Sequence, residues 1–318
     1  MTLVIIVALI SLIGYYKIIY TPEVEEMEDK SNGLKYDIVE KINQGDYTVI
    51  NYLDERKWDG AFEILYKDEL IYYEGRKNVK YYIIDESPGS DIPPLPAMIT
   101  DITGDGGDNL VMMAWTGGAG CCNEYYIYSL SNSDVFLLDK LDGVRTYVWF
   151  EDMDGDGALE AQLLDWTYKY WVAPQNMSPT PDIVMKYKKG VYVLAPELMI
   201  KPLPLKSELD AKSTALREKM GKRHGEMWDP ESNSPYIDEG NILLWREMLD
   251  LIYTGYGEEA MDFYYASWPE GATFIDYFEV EWSRDAFLPE FISLLKSSPH
   301  WDGVNSINNW GDYQELIN

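Results

Sequence analysis

Cysteine and histidine are nearly missing from this chain, with two of each in 318 residues. Two cysteines cannot build a disulfide framework or a four-cysteine zinc site. His224 and His300 stand far apart, which argues against a histidine-rich metal centre. Positive charge is scarce as well: 26 Lys and Arg face 55 Asp and Glu, a net charge of −29. A surface this acidic repels phosphate backbones, and no basic patch offsets it, so no nucleic-acid partner is expected. Catalytic signatures are also lacking. There is no G-x-S-x-G and no H-E-x-x-H, and the Gly-rich run before Cys121 lacks the G-K-[ST] of a phosphate loop.

What is present is ordinary globular material. Hydrophobic residues make up 46% and charged residues 25%, which excludes wholesale disorder. The length suits about two domains. Acids are clumped: residues 101–165 hold 13 acids and two bases, a net −11, and residues 207–318 hold 22 and eight, a net −14.

Residues 2–16 carry no charge, and after Lys17 the apolar stretch extends to Tyr20. That is close to the roughly 20 residues a spanning helix needs, and Lys17 can snorkel to the interface. Residues 1–20 are therefore expected to be a transmembrane anchor or a signal segment forming an N-terminal hydrophobic helix. A buried core helix is the third reading. No A-x-A-like cleavage site follows the segment, and no cysteine offers a lipid anchor. Lys17, Lys30 and Lys35 favour an inside body by the positive-inside rule, whereas the acidic loops described below favour an exported one.

Residues 21–35 read as an acidic tether. From 36 to 195 the chain is β-like, with Tyr47–Ile50, Leu70–Tyr73 and Lys80–Ile84 broken by Gly, Asp and Asn, and a loop over 87–94. Asp182–Tyr187, a Lys188-Lys189-Gly190 turn and Val191–Leu194 predict a hairpin. Near 196 prolines appear and the pattern turns helical. Residues 196–240 form a linker, one capped helix from Ser207 and a polar loop. Residues 241–318 form a small α-helical domain. There Leu244, Met248, Leu251 and Ile252 share one helix face, a second helix starts near Glu259, and a third runs over about 284–297 through Phe287, Phe291, Leu294 and Leu295. Gly255, Ala260 and Tyr264 are faintly similar to a tetratricopeptide hairpin. The fold class is α+β: an antiparallel β domain followed by helices.

Two stretches of the β region superimpose without gaps at an offset of 51 residues. One begins at Asp101 and the other at Asp152; both read D-x-[TD]-G-D-G and reach a Trp-Thr, Trp115-Thr116 and Trp166-Thr167. Such a match marks a duplicated unit. A hard dication takes six to eight oxygens at roughly 2.3–2.6 Å, and alternate residues of a tight loop point inward. Asp152, Asp154 and Asp156 then supply carboxylates at positions 1, 3 and 5, and Glu160 closes the site at position 9. The first copy offers Asp101, Thr103, Asp105 and Asn109, with Asp108 nearby, and fewer charges predict a weaker site. An EF-hand is excluded, because position 12 holds Met112 or Leu163 and Leu110–Trp115 reads as a strand.

At these residues the sequence resembles the FG-GAP/VCBS repeats, the calcium-binding blades of integrin-α-like β-propellers. The resemblance covers about 95–170 well and 36–195 loosely. It implies propeller-blade-like units, Ca2+ at Asp101, Thr103, Asp105 and Asn109 and at Asp152, Asp154, Asp156 and Glu160, and an extracytoplasmic location. Only about 160 residues are β-like, too few for seven blades of roughly 40–45 residues each. The helical C-terminus lies outside the pattern.

Adjacent Cys121 and Cys122 are read either as two buried thiols or as a vicinal disulfide, strained because neighbouring Cα atoms lie about 3.8 Å apart. Trp166, Tyr168, Tyr170 and Trp171 form the densest aromatic cluster and are the candidate ligand surface, although packing accounts for most aromatics. The expected function is a calcium-binding, membrane-tethered binding or scaffold protein outside the cytoplasm. Its expected partner is a protein or glycan at the cell surface, and no catalytic activity is evident. The alternatives are a glycan hydrolase working through paired carboxylates, and a purely structural surface protein.

Overall fold

The computed structural model describes residues 36–84, 98–117, 123–144, 148–219, 228–229, 234–235 and 239–318. The N-terminal hydrophobic segment, the tether, the 87–94 loop and Cys121-Cys122 lie outside the described residues. Among the described residues no helix is long and apolar enough to cross a membrane. The fold is mixed α+β, with antiparallel sheets followed by helices.

The first sheet is β1 (Asp37–Gln44), β2 (Tyr47–Asp54), β3 (Asp59–Tyr66) and β4 (Glu69–Arg76), hydrogen-bonded in chain order. Tyr, Val and Ile make up half of β2, which is buried along nearly its whole length. The two-residue turn between β3 and β4 puts both Lys67 and Asp68 at positive φ, +51° and +67°, which matches the twist of a tight hairpin. The second sheet contains β5 (Lys80–Ile83), β6 (Ile99–Thr100), β7 (Asp108–Trp115), β8 (Asn123–Ser131) and β9 (Asp134–Val144); β5 and β6 both pair with β7. The third sheet is β10 (Trp149–Glu151), β11 (Glu160–Leu164), β12 (Asp182–Lys188) and β13 (Val191–Leu194), again in chain order. The predicted hairpin is β12–β13, turning through Lys189 and Gly190, both at positive φ.

Strand periodicity sets the layers. Leu110, Met112 and Ala114 of β7, with Tyr126 and Tyr128 of β8, face one core shared with Val49, Phe62 and Ile64 of the first sheet. Their neighbours Val111, Met113, Tyr125 and Ile127 face the opposite core, shared with Ala161, Leu163 and Ile183 of the third sheet. The middle sheet is therefore buried on both sides, and a one-residue slip in β7 would exchange the two cores.

The second core continues into the helices α1 (Lys206–Lys219), α2 (Glu239–Tyr253), α3 (Gly257–Ser267), α4 (Arg284–Ser297), α5 (Trp301–Ser306) and α6 (Gln314–Ile317). Leu244, Met248, Leu251 and Ile252 of α2 are buried on the face that their spacing predicts. Phe287, Phe291 and Leu295 do the same on α4, which Ser283 caps by accepting from the Ala286 amide. Short strands β14 (Trp228–Asp229) with β15 (Ser234–Pro235) and β16 (Thr273–Ile275) with β17 (Glu281–Ser283) complete the fold.

Candidate metal site

The loop from Asp152 joins β10 to β11, and the loop from Asp101 joins β6 to β7, the corresponding connection in the neighbouring sheet. Each opens into a strand rather than a helix, which accords with the rejection of an EF-hand. The two turns share most of their hydrogen bonds. The Asp152 carboxylate accepts the amides of Gly155 at 2.7 Å and Gly157 at 3.2 Å. The Asp101 carboxylate accepts those of Gly104 and Gly106, both at 2.8 Å. Asp156 accepts the Ala158 amide and Asp105 the Gly107 amide, each at 2.9 Å. Glu160 accepts the Met153 amide at 2.8 Å, and Asn109 accepts the Ile102 amide at 3.0 Å. The glycines at 104, 106, 155 and 157 all sit at positive φ, between +73° and +91°, a conformation that disfavours side chains.

Charge separates the two loops. Asp152, Asp154 and Asp156 are exposed and place ligand oxygens within 4.8 Å of one another, an arrangement that could hold a metal ion. Glu160 is fully buried beneath them, and its Oε1 has no hydrogen-bond partner. The ammonium of Lys186, on β12, reaches into this group. It donates to Asp154 Oδ2, lies 2.6 Å from Asp156 Oδ2 and sits 3.6 Å from Glu160 Oε1. Those bonds raise the Lys186 pKa, and the bond from Lys186 is the main cause lowering that of Asp156.

Sequence reasoning missed Lys186. Its signal was a single base inside the otherwise uncharged run Ile183–Tyr187, where a buried strand does not ordinarily hold one.

The first loop carries less charge. Thr103 and Asn109 are buried, Asp105 and Asp108 are exposed, and Asp101 is half-buried. The Thr103 hydroxyl lies 3.3 Å from Asp101 Oδ1 and 3.4 Å from Asn109 Oδ1, so it is already engaged. Asn109 stands across from Ser129 of β8, a neutral neighbour for a neutral side chain. The loops also touch, since Leu159 donates its amide to the Ile102 carbonyl at 2.9 Å.

The four aromatic candidates do not share a surface. Tyr168 is buried, and its hydroxyl is 2.8 Å from that of Tyr253. Trp171 is half-buried among Trp245, Trp282, Phe287 and Phe291, with ring centroids 4.7–6.1 Å away. Trp166 is half-buried, and Tyr170 alone of the four is 56% exposed. The acid of this segment, Asp165, is buried. It accepts the hydroxyls of Tyr253 and Ser298 and the Thr167 amide, joining the third sheet to α2 and the end of α4. His300 lies in the same neighbourhood, donating its amide to Ser298 Oγ; burial lowers its imidazole pKa while Asp165 opposes the change.

No protein-family model, no curated protein and no solved structure matches this chain.

Proposed function

We propose that the chain is a calcium-braced scaffold or binding protein of FG-GAP/VCBS-like, propeller-blade-like sheets, held at a membrane by residues 1–20 and facing outside the cytoplasm. The observation that carries this is Glu160: a fully buried carboxylate oxygen without a hydrogen-bond partner, below three converging aspartates. Lys186 supplies a counter-charge at 3.6 Å but no hydrogen bond, and a buried carboxylate oxygen left without one is costly. The donors are all oxygens, the set that suits a hard dication, and neither thiolate nor imidazole takes part. Asp152, Asp154, Asp156 and Glu160 would hold the ion in the stronger site, and Asp101, Thr103, Asp105 and Asn109 in the weaker one. The stacked antiparallel sheets and the matching turns support the blade reading.

In this reading the ion does no chemistry. Bound in either loop it would offset the acids there and brace that turn, leaving the sheets to present a surface to a protein or glycan. An extracytoplasmic setting supplies the millimolar calcium that fills modest sites.

The test is thermal unfolding of the full chain in 5 mM calcium and in excess EDTA, with calorimetric titration. Saturation at about 1,000 times Kd adds roughly 4 kcal/mol, readily visible as a rise in Tm. The rise should vanish in Asp154→Asn with Asp156→Asn. No rise and no heat in the wild-type chain would overturn the reading and return those carboxylates to the glycan-hydrolase alternative.

A further inference from the structure

The Lys186 ammonium occupies the oxygens that the loop backbone leaves free. Asp154 Oδ1 accepts the Asp156 amide at 3.3 Å and Asp156 Oδ1 accepts the Ala158 amide at 2.9 Å, so the turn consumes one oxygen of each. Lys186 takes the other one, Oδ2, in both cases. Glu160 repeats the division: Oε2 holds the Met153 amide, and Oε1 faces Lys186 at 3.6 Å. At that distance the ammonium balances charge without making a hydrogen bond, and Oε1 stays unpartnered. Lys186 thus meets the electrostatic demand of the site but not its coordination demand.

Register explains how it arrives there. Ala161 pairs with Met185, so Glu160 and Lys186 are the next residues along the adjacent strands β11 and β12. In the sister loop the same position is Asn109 against Ser129. The acid and the base occur together in one loop and are both missing from the other. The aspartates are exposed, and the lysine hangs on a flexible four-carbon stem that can swing to solvent.

We propose that the 152–160 site is lysine-gated: the Lys186 ammonium and a calcium-sized dication compete for Asp154, Asp156 and Glu160, and binding the dication releases the Lys186 side chain. This rests on the calcium reading above and adds its regulation. The tethered ammonium keeps the turn assembled without metal, lowers its affinity for the ion, and turns metal binding into the exposure of a positive charge on an acidic surface.

The experiment uses the full chain and calcium chloride. Lys186→Met should bind calcium up to about fivefold more tightly than wild type by calorimetric titration, the factor expected from removing an ion-pair competitor. It should also lose more thermal stability in EDTA, having no internal counter-ion. In the wild-type chain, acylation of Lys186 by an N-hydroxysuccinimide ester, mapped by peptide mass spectrometry against the exposed Lys188, should rise several-fold when calcium is added. Calcium binding with equal affinity in both proteins, or with unchanged Lys186 labelling, would overturn the gate and leave the calcium reading standing. If neither protein binds calcium, both fall, and Lys186 is a permanent replacement for the ion.

Discussion

The amide of Leu159 donates to the carbonyl of Ile102 at 2.9 Å, so two acidic loops from neighbouring sheets meet backbone to backbone. The contact is tight elsewhere along the seam. A Cβ placed on Gly104 would lie 2.9 Å from the Ala158 nitrogen and 3.1 Å from its Cα. Whatever stiffens one loop is therefore transmitted to the other through main-chain atoms that have little room to yield.

Gly104→Ala is predicted to destabilise the fold more than Gly106→Ala. Both glycines have positive φ, +73° and +82°, so both substitutions carry the strain of a left-handed residue, about 1–2 kcal/mol. Only Gly104 adds a collision with backbone, worth roughly a further 1–3 kcal/mol, because nothing lies within 4 Å of a Cβ at Gly106. Urea midpoints of the two variants measure the difference. Equal losses would mean that the Ala158 backbone gives way and the seam is soft.

Much of this arrangement was legible in the sequence, and the reason is local chemistry. The Lys189-Gly190 turn, the apolar face of α4 and the D-x-[TD]-G-D-G duplication all depend on residues a few positions apart. Their outcomes are β12–β13, buried Phe287 and Phe291, and two turns with matching hydrogen bonds. Lys186 was not legible as a partner of the loop, because it meets Asp154 and Asp156 only through the pairing of β11 with β12. Nor was the destination of Tyr168 and Trp171. Their spacing shows aromatics but not the helices Glu239–Tyr253 and Arg284–Ser297 that cover them.

Asp165 is predicted to be the most sensitive polar residue at the junction of sheet and helices. Replacing it with Ala removes the acceptor of two buried hydroxyls, at about 1–3 kcal/mol in all, since Tyr253 keeps its contact with the Tyr168 hydroxyl and Ser298 still accepts the His300 amide. Ser298→Ala removes one donor but leaves Asp165 with Tyr253 and the Thr167 amide, so about 1 kcal/mol is expected. Chemical denaturation of both single variants and the double variant tests this. The double variant should cost less than the sum of the two single losses, because both changes remove the Asp165–Ser298 bond, while the His300 amide loses its acceptor only when Ser298 is replaced. Simple additivity would mean that Ser298 acts through the His300 amide rather than through Asp165.

Acid should weaken the fold through Glu124. Burial of Glu124 works against its charged form, but hydrogen bonds from Lys140, Tyr126 and Arg76 prevail and bring its pKa down from 4.5 to about 2. Lys140 lies 2.6 Å and Arg76 3.1 Å from its oxygens, and both cations also face the Tyr126 ring. A carboxyl depressed on folding stabilises the native state above its unfolded pKa and loses that contribution as pH falls toward the folded one. The loss should therefore run from about pH 4.5 down to about pH 2, and amount to no more than about 3 kcal/mol. Glu124→Gln removes the titrating charge, so the variant should be the less stable protein at pH 6, and the gap should shrink by about half or more by pH 3. Taking the difference between the two proteins in EDTA cancels whatever the loops contribute to both alike. A gap that stays constant from pH 6 to pH 3 would show that Lys140 and Arg76 contribute through packing of their stems against Tyr126 rather than through charge.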